Sequence, residues 1–381
     1  MPDTQPAHYP GFSMHRFLPA LLLYLTTLAA NAQLADDWRK LRNQAHAIGV
    51  DSLCAQPDSA CLTRYFTQIV YGRTPRRMSY RGVSERVDTV RINRLTHQFL
   101  AGADWHSLLD SLESKDRHYR QLTAYCMRCL VDDYMADSLT IEQVQETLNT
   151  YRWLNRFPAD KRVVVNIPSA TLRVIDRQGS TLLSSRVVVG KRTTPTPLFT
   201  AFIPSLVTYP YWNVPRSILV RELLPKIRKN PVATLNAMNL QIINAKGQEV
   251  DPATINWTTP ARAFPYRLRQ STGCDNALGV LKFNVNSPYD IYLHDTNARQ
   301  VFARENRQLS HGCIRVEKPD SLANLLLGYV RFGADYLTSC AKNASPQTVL
   351  LPRKVPVIIL YNVLDIDEAG AIRVYRDTYQ R

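Results

Sequence analysis

The chain has 381 residues, a length that fits two or three domains and is ample for a sizeable core. Hydrophobic residues make up 45% and charged residues 21%, which is typical of a globular protein. The net charge of +15 is diffuse, and no zinc finger, RNP-like motif or basic low-complexity tail indicates nucleic acid. We therefore interpret it as a preference for an anionic surface or substrate.

The first segment of the chain has the layout of an export signal. A short cationic flank precedes the apolar run of residues 17–30, and the small-x-small tripeptide ANA follows that run. The apolar run is short for a membrane span. We expect residues 1–32 to be a signal peptide that is cleaved before Gln33, with Met14 as an alternative start. An uncleaved anchor is the other interpretation.

Export makes the cysteine count informative, because exported cysteines are commonly paired. The chain has seven, and an odd number leaves at least one thiol unpaired. Cys54 and Cys61 bracket a short loop and suit a local disulfide. Cys126 and Cys129 fall within a helical pattern, where core thiols, a disulfide and a metal pair all stay open. The remaining three are Cys274, Cys313 and Cys340.

Residues 33–157 have apolar positions at helical spacing and predict a helical region. Thr140 and Gln143 form a capping box that predicts the start of one of its helices. No reactive group of side chains assembles in this region, so we expect it to act as a scaffold or a docking region.

From residue 160 the pattern changes to Val-, Ile- and Thr-rich strands separated by turns. Strands are predicted at Gly279–Val285 and at Tyr289–His294, and a hairpin is predicted around Glu368–Gly370. The segment PDSLANLLLGYV, which begins at Pro319, is predicted to form a helix. The fold class we expect is α+β, with a β-rich domain over residues 160–381. Residues 191–270, rich in proline and aromatics with a basic helical stretch, predict an inserted lid; a long plain connection is the alternative.

The stretch SHGCIRVE, residues 310–317, places a cysteine shortly after a histidine. Only two histidines follow His118, and they are His294 and His311. A free thiol is only a few per cent thiolate at neutral pH, so a nucleophilic Cys313 would need a nearby base. His294 ends a predicted strand and would take the proton, oriented by the carbonyl of Tyr292 or the side chain of Asp295.

The residues around the thiol suggest further roles. Gly312 allows a tight turn, and the N–H groups of Gly312 and Cys313 could face a developing oxyanion. Ser310 flanks the site. The guanidinium of Arg315 suits a substrate carboxylate, because its fork can bind both oxygens. An ordinary surface position for Arg315 is the alternative.

These motifs carry a family resemblance. YLHDT followed by SHGCIRV resembles the L,D-transpeptidase (YkuD-type) catalytic domain, whose signature is a histidine, a spacer and then Ser/Thr-His-Gly-Cys. The blocks VNIPSATLRV, RVVVGKRTTPTP, YWNVPRSI and LRQSTGCDNALGVLKF are similar to those of larger, lid-bearing members from Gram-negative envelopes. The resemblance covers about residues 150–381.

The resemblance implies a mechanism and a location. Cys313 would form a thioester with a donor tetrapeptide stem of peptidoglycan, His294 would act as general base and acid, and His311 would support the site. Tyr211, Trp212 and Asn213 would lie in the lid near the donor channel. The acyl group would pass to the amine of another stem and form a 3→3 cross-link.

The resemblance further implies no cofactor, no metal, inhibition by carbapenems and a location in the periplasm or cell envelope. The sequence contains no peptidoglycan-binding module that we can identify between residues 33 and 157. Cys274 lies where the family pattern has no thiol, so it either pairs with Cys340 or is free.

The sequence leaves several alternatives open. The thioester could be resolved by water or by a free D-amino acid, which would give L,D-carboxypeptidase activity or amino-acid exchange. Attachment of another envelope protein to peptidoglycan is a further choice of acceptor. A zinc site made by His294, His311 and Cys313 is an alternative of another class. A non-catalytic murein-binding envelope protein is the last.

Overall fold

The computed structural model describes residues 18–51, 56–132, 139–339, 341 and 344–380. The chain forms two compact units. The first comprises Met1–Gly72 and Val87–Glu113, and the second comprises Arg73–Arg86 and Ser114–Arg381. Mixed helices and strands, with helices first and a β-rich region after them, confirm the predicted α+β class.

The first unit is helical. An aspartate precedes each of its second, third and fourth helices and accepts a hydrogen bond from the N–H three residues on, which satisfies a donor that the helix itself leaves unpaired. The tilted aromatic pair Phe66 and Phe99 packs edge to face in its core. The helices are α1 (Leu18–Ala47), α2 (Ser59–Tyr71), α3 (Thr89–Leu100) and α4 (Trp105–Leu112).

Helix α1 runs through the expected cleavage point before Gln33 without a break. Among the described residues, the structure contains no helix with the length and apolarity needed to cross a membrane. Signal cleavage therefore stays a prediction.

Two more helices, α5 (Arg117–Asp132) and α6 (Ile141–Trp153), belong to the second unit together with the strands. The capping box at the start of α6 is present as predicted: the Thr140 hydroxyl accepts from the Gln143 N–H, and the Gln143 side chain accepts from the Thr140 N–H. Tyr151 of α6 donates to Asp365 and accepts from the buried Arg173, which attaches this helix to the β-rich domain.

The centre of the second unit is a sheet that closes on itself. Its strands follow the order β5, β13, β2, β3, β4, β12, β10, β9, and β9 pairs again with β5; β1 lies outside β5 and β11 pairs with β4. Closure removes the open edges of this ring, and aliphatic side chains fill its interior. The strands are β1 (Tyr80–Arg81), β2 (Lys161–Asn166), β3 (Thr171–Asp176), β4 (Thr181–Gly190), β5 (Phe199–Thr208), β9 (Leu281–Asn284), β10 (Leu293–His294), β11 (Gln308–Ser310), β12 (Ile314–Val316) and β13 (Gln347–Leu360).

A small subdomain is inserted between β5 and β9. It has a three-stranded sheet in the order β6, β8, β7 and an apolar core of its own, with the basic helical stretch at 216–227. We call this subdomain, residues 212–270, the lid. Its elements are β6 (Trp212–Asn213), α7 (Arg216–Ile218), a π-helical turn (Leu219–Leu223), α8 (Leu224–Ile227), α9 (Pro231–Ala237), β7 (Leu240–Ile243) and β8 (Arg267–Gln270).

One strand differs from the predicted arrangement. β5 lies inside the interval 191–270 that we assigned to the insertion, yet it is a ring strand that pairs with β13 and β9. Pro204 and the aromatic residues around it do not form a typical strand pattern. The position of β5 is set by its pairing with the neighbouring strands β13 and β9. The lid therefore begins after β5, at Trp212.

The C-terminal part confirms two local predictions. Helix α10 (Pro319–Leu327) starts on a proline and ends at Gly328, which has φ of 84°. Strands β14 (Leu364–Ile366) and β15 (Ile372–Val374) form the predicted hairpin, and its turn is held by N–H groups that donate to the Asp367 carboxylate.

The cysteines fall into two groups. Cys61 and Cys274 each belong to a disulfide bond, whereas Cys54 and Cys340, the respective partners that we predicted for them, lie outside the described residues. Cys126 and Cys129 are buried thiols, and Cys313 is a partly exposed thiol. Burial raises the pKa of Cys126 to about 11, as expected of a core thiol.

Candidate active site

Strand register explains which side chains share one face. β10 lies between β9, which is antiparallel to it, and β12, which is parallel to it. Leu293 of β10 is opposite Phe283 and Ile314, and all three are fully buried in the core. Because side chains alternate along a strand, the next set of partners, Lys282, His294 and Arg315, projects from the other face.

The turn before Cys313 is fixed by side-chain hydrogen bonds. Gly312 has φ of 120°, a backbone conformation that favours glycine. The Ser310 hydroxyl donates to the carbonyl of Cys313 at 2.6 Å and accepts from the Gly312 N–H at 3.0 Å. Thr196 donates to the Gly312 carbonyl at 2.7 Å, and Thr194 donates to the Ser310 carbonyl at 3.1 Å.

This arrangement changes the predicted oxyanion donors. The Gly312 N–H is already bonded to Ser310, so it does not face the cleft as a spare donor. The N–H of Cys313 is the member of the predicted pair that remains a candidate. Ser310 supports the site through the backbone of the turn.

The thiol of Cys313 lines a cleft of about 790 Å³. It donates to the carbonyl of Asp290 at 3.6 Å. Burial raises the pKa of Cys313, while hydrogen bonds from the main chain and the side chain of Tyr292 and the charge of Lys282 oppose that rise. The resting site therefore holds a protonated thiol with several groups ready to support a thiolate.

The imidazole of His294 is 4% exposed and lines the same cleft as Cys313. Its Nδ1 donates to the main-chain carbonyl of Asp295, which leaves Nε2 as the basic nitrogen. Burial, followed by the charge of Arg315, lowers the pKa of His294 to about 3. His294 is therefore neutral at physiological pH, as a general base must be.

The orienting group differs from the two that we predicted. The Tyr292 carbonyl accepts the N–H of Ile314, and the Asp295 carboxylate accepts from the Val280 N–H and from Arg299. Each of those acceptors helps to join neighbouring segments. Asp295 orients His294 through its main chain, a contact between adjacent residues that side-chain patterns do not predict.

His311 points to the lid. Its Nε2 lies 2.6 Å from Oε1 of Glu222, which belongs to the π-helical turn. His311 thus connects the turn before Cys313 to the lid. Among the described residues, no group of three or more His, Cys, Asp and Glu side chains is arranged to bind a metal ion, and the zinc interpretation of His294, His311 and Cys313 has no support.

The predicted substrate-binding residues divide between two clefts. Arg315 and Trp212 line the cleft of Cys313. Tyr211 and Asn213 line a neighbouring cleft of about 470 Å³, where the guanidinium of Arg269 lies 4.2 Å from the Tyr211 ring centroid. The Nε of Arg315 is buried without a hydrogen-bond partner among the described residues, so part of the hydrogen-bonding capacity of this guanidinium is unused within them.

Two residues of the site escaped sequence analysis. Lys282 lies in KFN, part of a block that we used only for its resemblance, and strand register places it beside His294. Glu222 is one acidic residue in a basic helical stretch, and its isolation there was the available signal.

Comparison with known proteins gives the family. The sequence profile of the L,D-transpeptidase catalytic domain (YkuD) matches residues 160–359, more than half of the chain. A Haemophilus influenzae protein with the provisional name of L,D-transpeptidase is 41% identical over 221 residues, which are 57% of this chain and 44% of that protein. The match thus spans less than half of the length of that relative.

Solved structures give a weaker likeness. An L,D-transpeptidase of Mycobacterium smegmatis is 15% identical with a TM-score of 0.24, over 53% of this chain and 59% of that chain. The catalytic domain of an E. faecium L,D-transpeptidase acylated by ertapenem is 12% identical with a TM-score of 0.25, over 53% of this chain and 98% of that chain. Such low scores carry no argument about this chain. The sequence profile does: this chain belongs to the L,D-transpeptidase family.

Proposed function

We propose that this protein is a peptidoglycan L,D-transpeptidase that forms 3→3 cross-links through a thioester on Cys313. The observation that carries the proposal is the cleft that holds a partly exposed thiol and a neutral histidine with a fixed tautomer. Family membership adds the reaction class.

The chemical steps follow from the two side chains. Nε2 of His294 takes the thiol proton, and the sulfur attacks the carbonyl carbon of the third residue of a donor tetrapeptide. The Cys313 N–H stabilises the oxyanion that forms. When the intermediate collapses, the C–N bond breaks, His294 returns the proton to the leaving amine, and D-alanine departs from the thioester.

The acceptor completes the cycle. The side-chain amine of a second stem attacks the thioester carbonyl, loses a proton to His294 and releases the Cys313 thiol. Two clefts meet at the segment 289–292, so a donor and an acceptor could approach the sulfur from different sides. The contact between Glu222 of the lid and His311 supports transfer over hydrolysis, because a closed lid limits the access of water.

Three further properties belong to the same proposal. We expect carbapenems to acylate Cys313, the partly exposed thiol of the cleft. We place the protein in the periplasm or cell envelope of a Gram-negative bacterium after signal cleavage. The disulfide-bonded state of Cys61 and Cys274 supports an oxidising compartment.

The test is incubation of the purified protein with disaccharide-tetrapeptide, followed by mass analysis of the products. We expect cross-linked dimers from the unaltered protein and none from Cys313→Ala or His294→Asn. Tripeptide without dimers would identify an L,D-carboxypeptidase, and incorporation of an added D-amino acid would identify exchange. No turnover and no thioester would reject the enzymatic proposal in favour of a murein-binding role.

A further inference from the structure

Lys282 is a half-buried cation for which the described residues provide no acidic partner by ion pair. Its pKa is lowered by burial, against the opposing charges of Cys313 and Asp290. An unpaired ammonium in a partly buried position costs free energy, so its retention in a strand needs a reason. Its neighbours suggest one.

The ammonium of Lys282 lies over the ring of Tyr292, with Nζ 4.2 Å from the ring centroid. This is cation–π geometry, which fixes the position of the cation and of the ring together. Tyr292 lines the same cleft as Cys313, and its main-chain carbonyl accepts the N–H of Ile314, the residue after Cys313. Lys282 and Tyr292 therefore form a connected pair that reaches the cleft of the Cys313 sulfur.

Before proton transfer, His294 supplies no positive charge to the sulfur. His294 is neutral because it is buried and lies between two cations, with Lys282 opposite it on β9 and Arg315 opposite it on β12. An imidazolium in that position would be repelled from both sides. The carboxylate of Asp290 opposes a thiolate as well. In the resting site, the positive charge near the sulfur therefore comes from the flanking cations.

We propose that Lys282 is a positioning residue that stabilises the Cys313 thiolate, acting through the ring and hydroxyl of Tyr292. The role rests on the proposed function, in which Cys313 is the nucleophile. Arg315 adds positive charge from the opposite side of His294. The other charged and titratable groups that line the cleft of Cys313 are Lys191, Arg221, Glu222, Asp290 and His311.

The test is the pH dependence of Cys313 alkylation by iodoacetamide, with peptide mapping to separate it from the buried Cys126 and Cys129. For Lys282→Gln we expect alkylation at pH 7 to slow about tenfold, with the midpoint about one pH unit higher, because one nearby charge shifts a pKa by that order. For Lys282→Arg, which keeps the charge, we expect a rate within about twofold of the unaltered protein. Lys354→Gln, on the exposed face of β13, is the matched control and should not change the profile.

A double-mutant cycle with Tyr292→Phe tests the route. If Lys282 acts through Tyr292, then Tyr292→Phe should shift the alkylation midpoint less in the Lys282→Gln background than it does in the unaltered protein. Additive effects would overturn the route, and an unchanged midpoint in Lys282→Gln would overturn the role. If Lys282→Arg fails as fully as Lys282→Gln, the residue contributes shape and not charge, and the proposal fails. Alkylation needs no peptidoglycan, so its result can be interpreted even if the protein proves not to be a transpeptidase.

Discussion

His294 and Arg315 lie directly opposite each other on the parallel strands β10 and β12, so the buried base of the site has a half-buried cation as its neighbour. That cation is the second cause, after burial, of the low pKa of His294. A substrate carboxylate bound to Arg315 would offset this charge and make His294 a stronger base. Binding of an anionic substrate and activation of the thiol would then be linked.

The first prediction concerns this cation. We expect Arg315→Gln to lower kcat/KM for the donor tetrapeptide about 30-fold or more, because loss of one partner of a buried charge pair costs on the order of 2 kcal/mol or more. Arg315→Lys keeps the charge but not the fork, so we expect an intermediate loss. Steady-state kinetics with the disaccharide-tetrapeptide measure both.

A donor whose terminal carboxylate is amidated identifies the partner of Arg315. If Arg315 binds the terminal carboxylate, the unaltered protein should have as low a kcat/KM for the amidated donor as Arg315→Gln has for the native donor. Amidation of the donor should then cause no further loss of kcat/KM in Arg315→Gln. Independent losses in the variant and in the amidated donor would show that Arg315 does not bind the terminal carboxylate.

The second prediction follows from the pKa of His294, which is about 3 in the folded protein and near 6.5 when unfolded. Between those values the unfolded chain binds one more proton than the folded chain at this residue, so the free energy of unfolding falls as the pH falls. The loss is up to ~1.4 kcal/mol per pH unit below about 6.5. His294→Asn should remove this contribution, so its stability should depend less on pH between 4 and 6.5.

Urea unfolding at a series of pH values measures that difference. Cys313→Ala is the control, because it keeps His294 and should keep the full slope. His118 also has a pKa lowered by burial, so a residual slope is expected in His294→Asn. Identical slopes in His294→Asn and the unaltered protein would contradict the neutral, buried state of His294.

The third prediction concerns the contact between Glu222 and His311. Both side chains are partly exposed, so the contact is worth about 1 kcal/mol or less. We expect Glu222→Ala to open the lid more often and to raise the ratio of tripeptide to dimer up to about fivefold, since ~1 kcal/mol corresponds to that factor. Hydrogen exchange over residues 216–227 should accelerate in parallel.

Glu249→Ala is the matched control for the lid. Glu249 is an exposed lid residue whose carboxylate accepts from Gln241, away from the turn that carries Cys313. We expect it to leave both the product ratio and the exchange of residues 216–227 unchanged. The same ratio in Glu222→Ala and in the unaltered protein would mean that the His311 contact does not limit the access of water.

Local patterns explain what could be predicted from the sequence. The capping box of α6, the β14–β15 hairpin and α10 depend on residues close together in the chain, and each is present. The pairing of Cys313 with His294 was recognisable because both lie in short, dense motifs. Lys282 and Glu222 reach the site through strand register and lid packing, which place them beside partners 12 and 89 residues distant in the chain and leave no local signal. β5 was hidden for the same reason, because its neighbours and not its own composition make it a ring strand.

The fourth prediction concerns Gly312, whose φ of 120° shapes the turn before the thiol. A Cβ added there would lie 3.2 Å from Cδ1 of Ile291 and would require a backbone conformation that alanine rarely adopts. We expect Gly312→Ala to cost about 1–3 kcal/mol of stability. It should also lower kcat by about tenfold or more, since a small displacement of the sulfur weakens its alignment with the base. Thermal melting and single-turnover acylation by a carbapenem measure the two effects separately.

Gly247→Ala is the control that separates the effect of backbone strain on stability from the effect of the position of the sulfur on the acylation rate. Gly247 also has a positive φ, of 82°, but a Cβ there would meet no atom within 4 Å, and the residue lies in a turn of the lid beyond β7. We expect this variant to lose stability of the same order and to keep its acylation rate. If Gly312→Ala acylates as fast as Gly247→Ala, the geometry of the Ser310–Cys313 turn is not what positions the nucleophile. If only Gly312→Ala is slow, the hydrogen bonds that Ser310, Thr194 and Thr196 make in this turn serve to aim the sulfur.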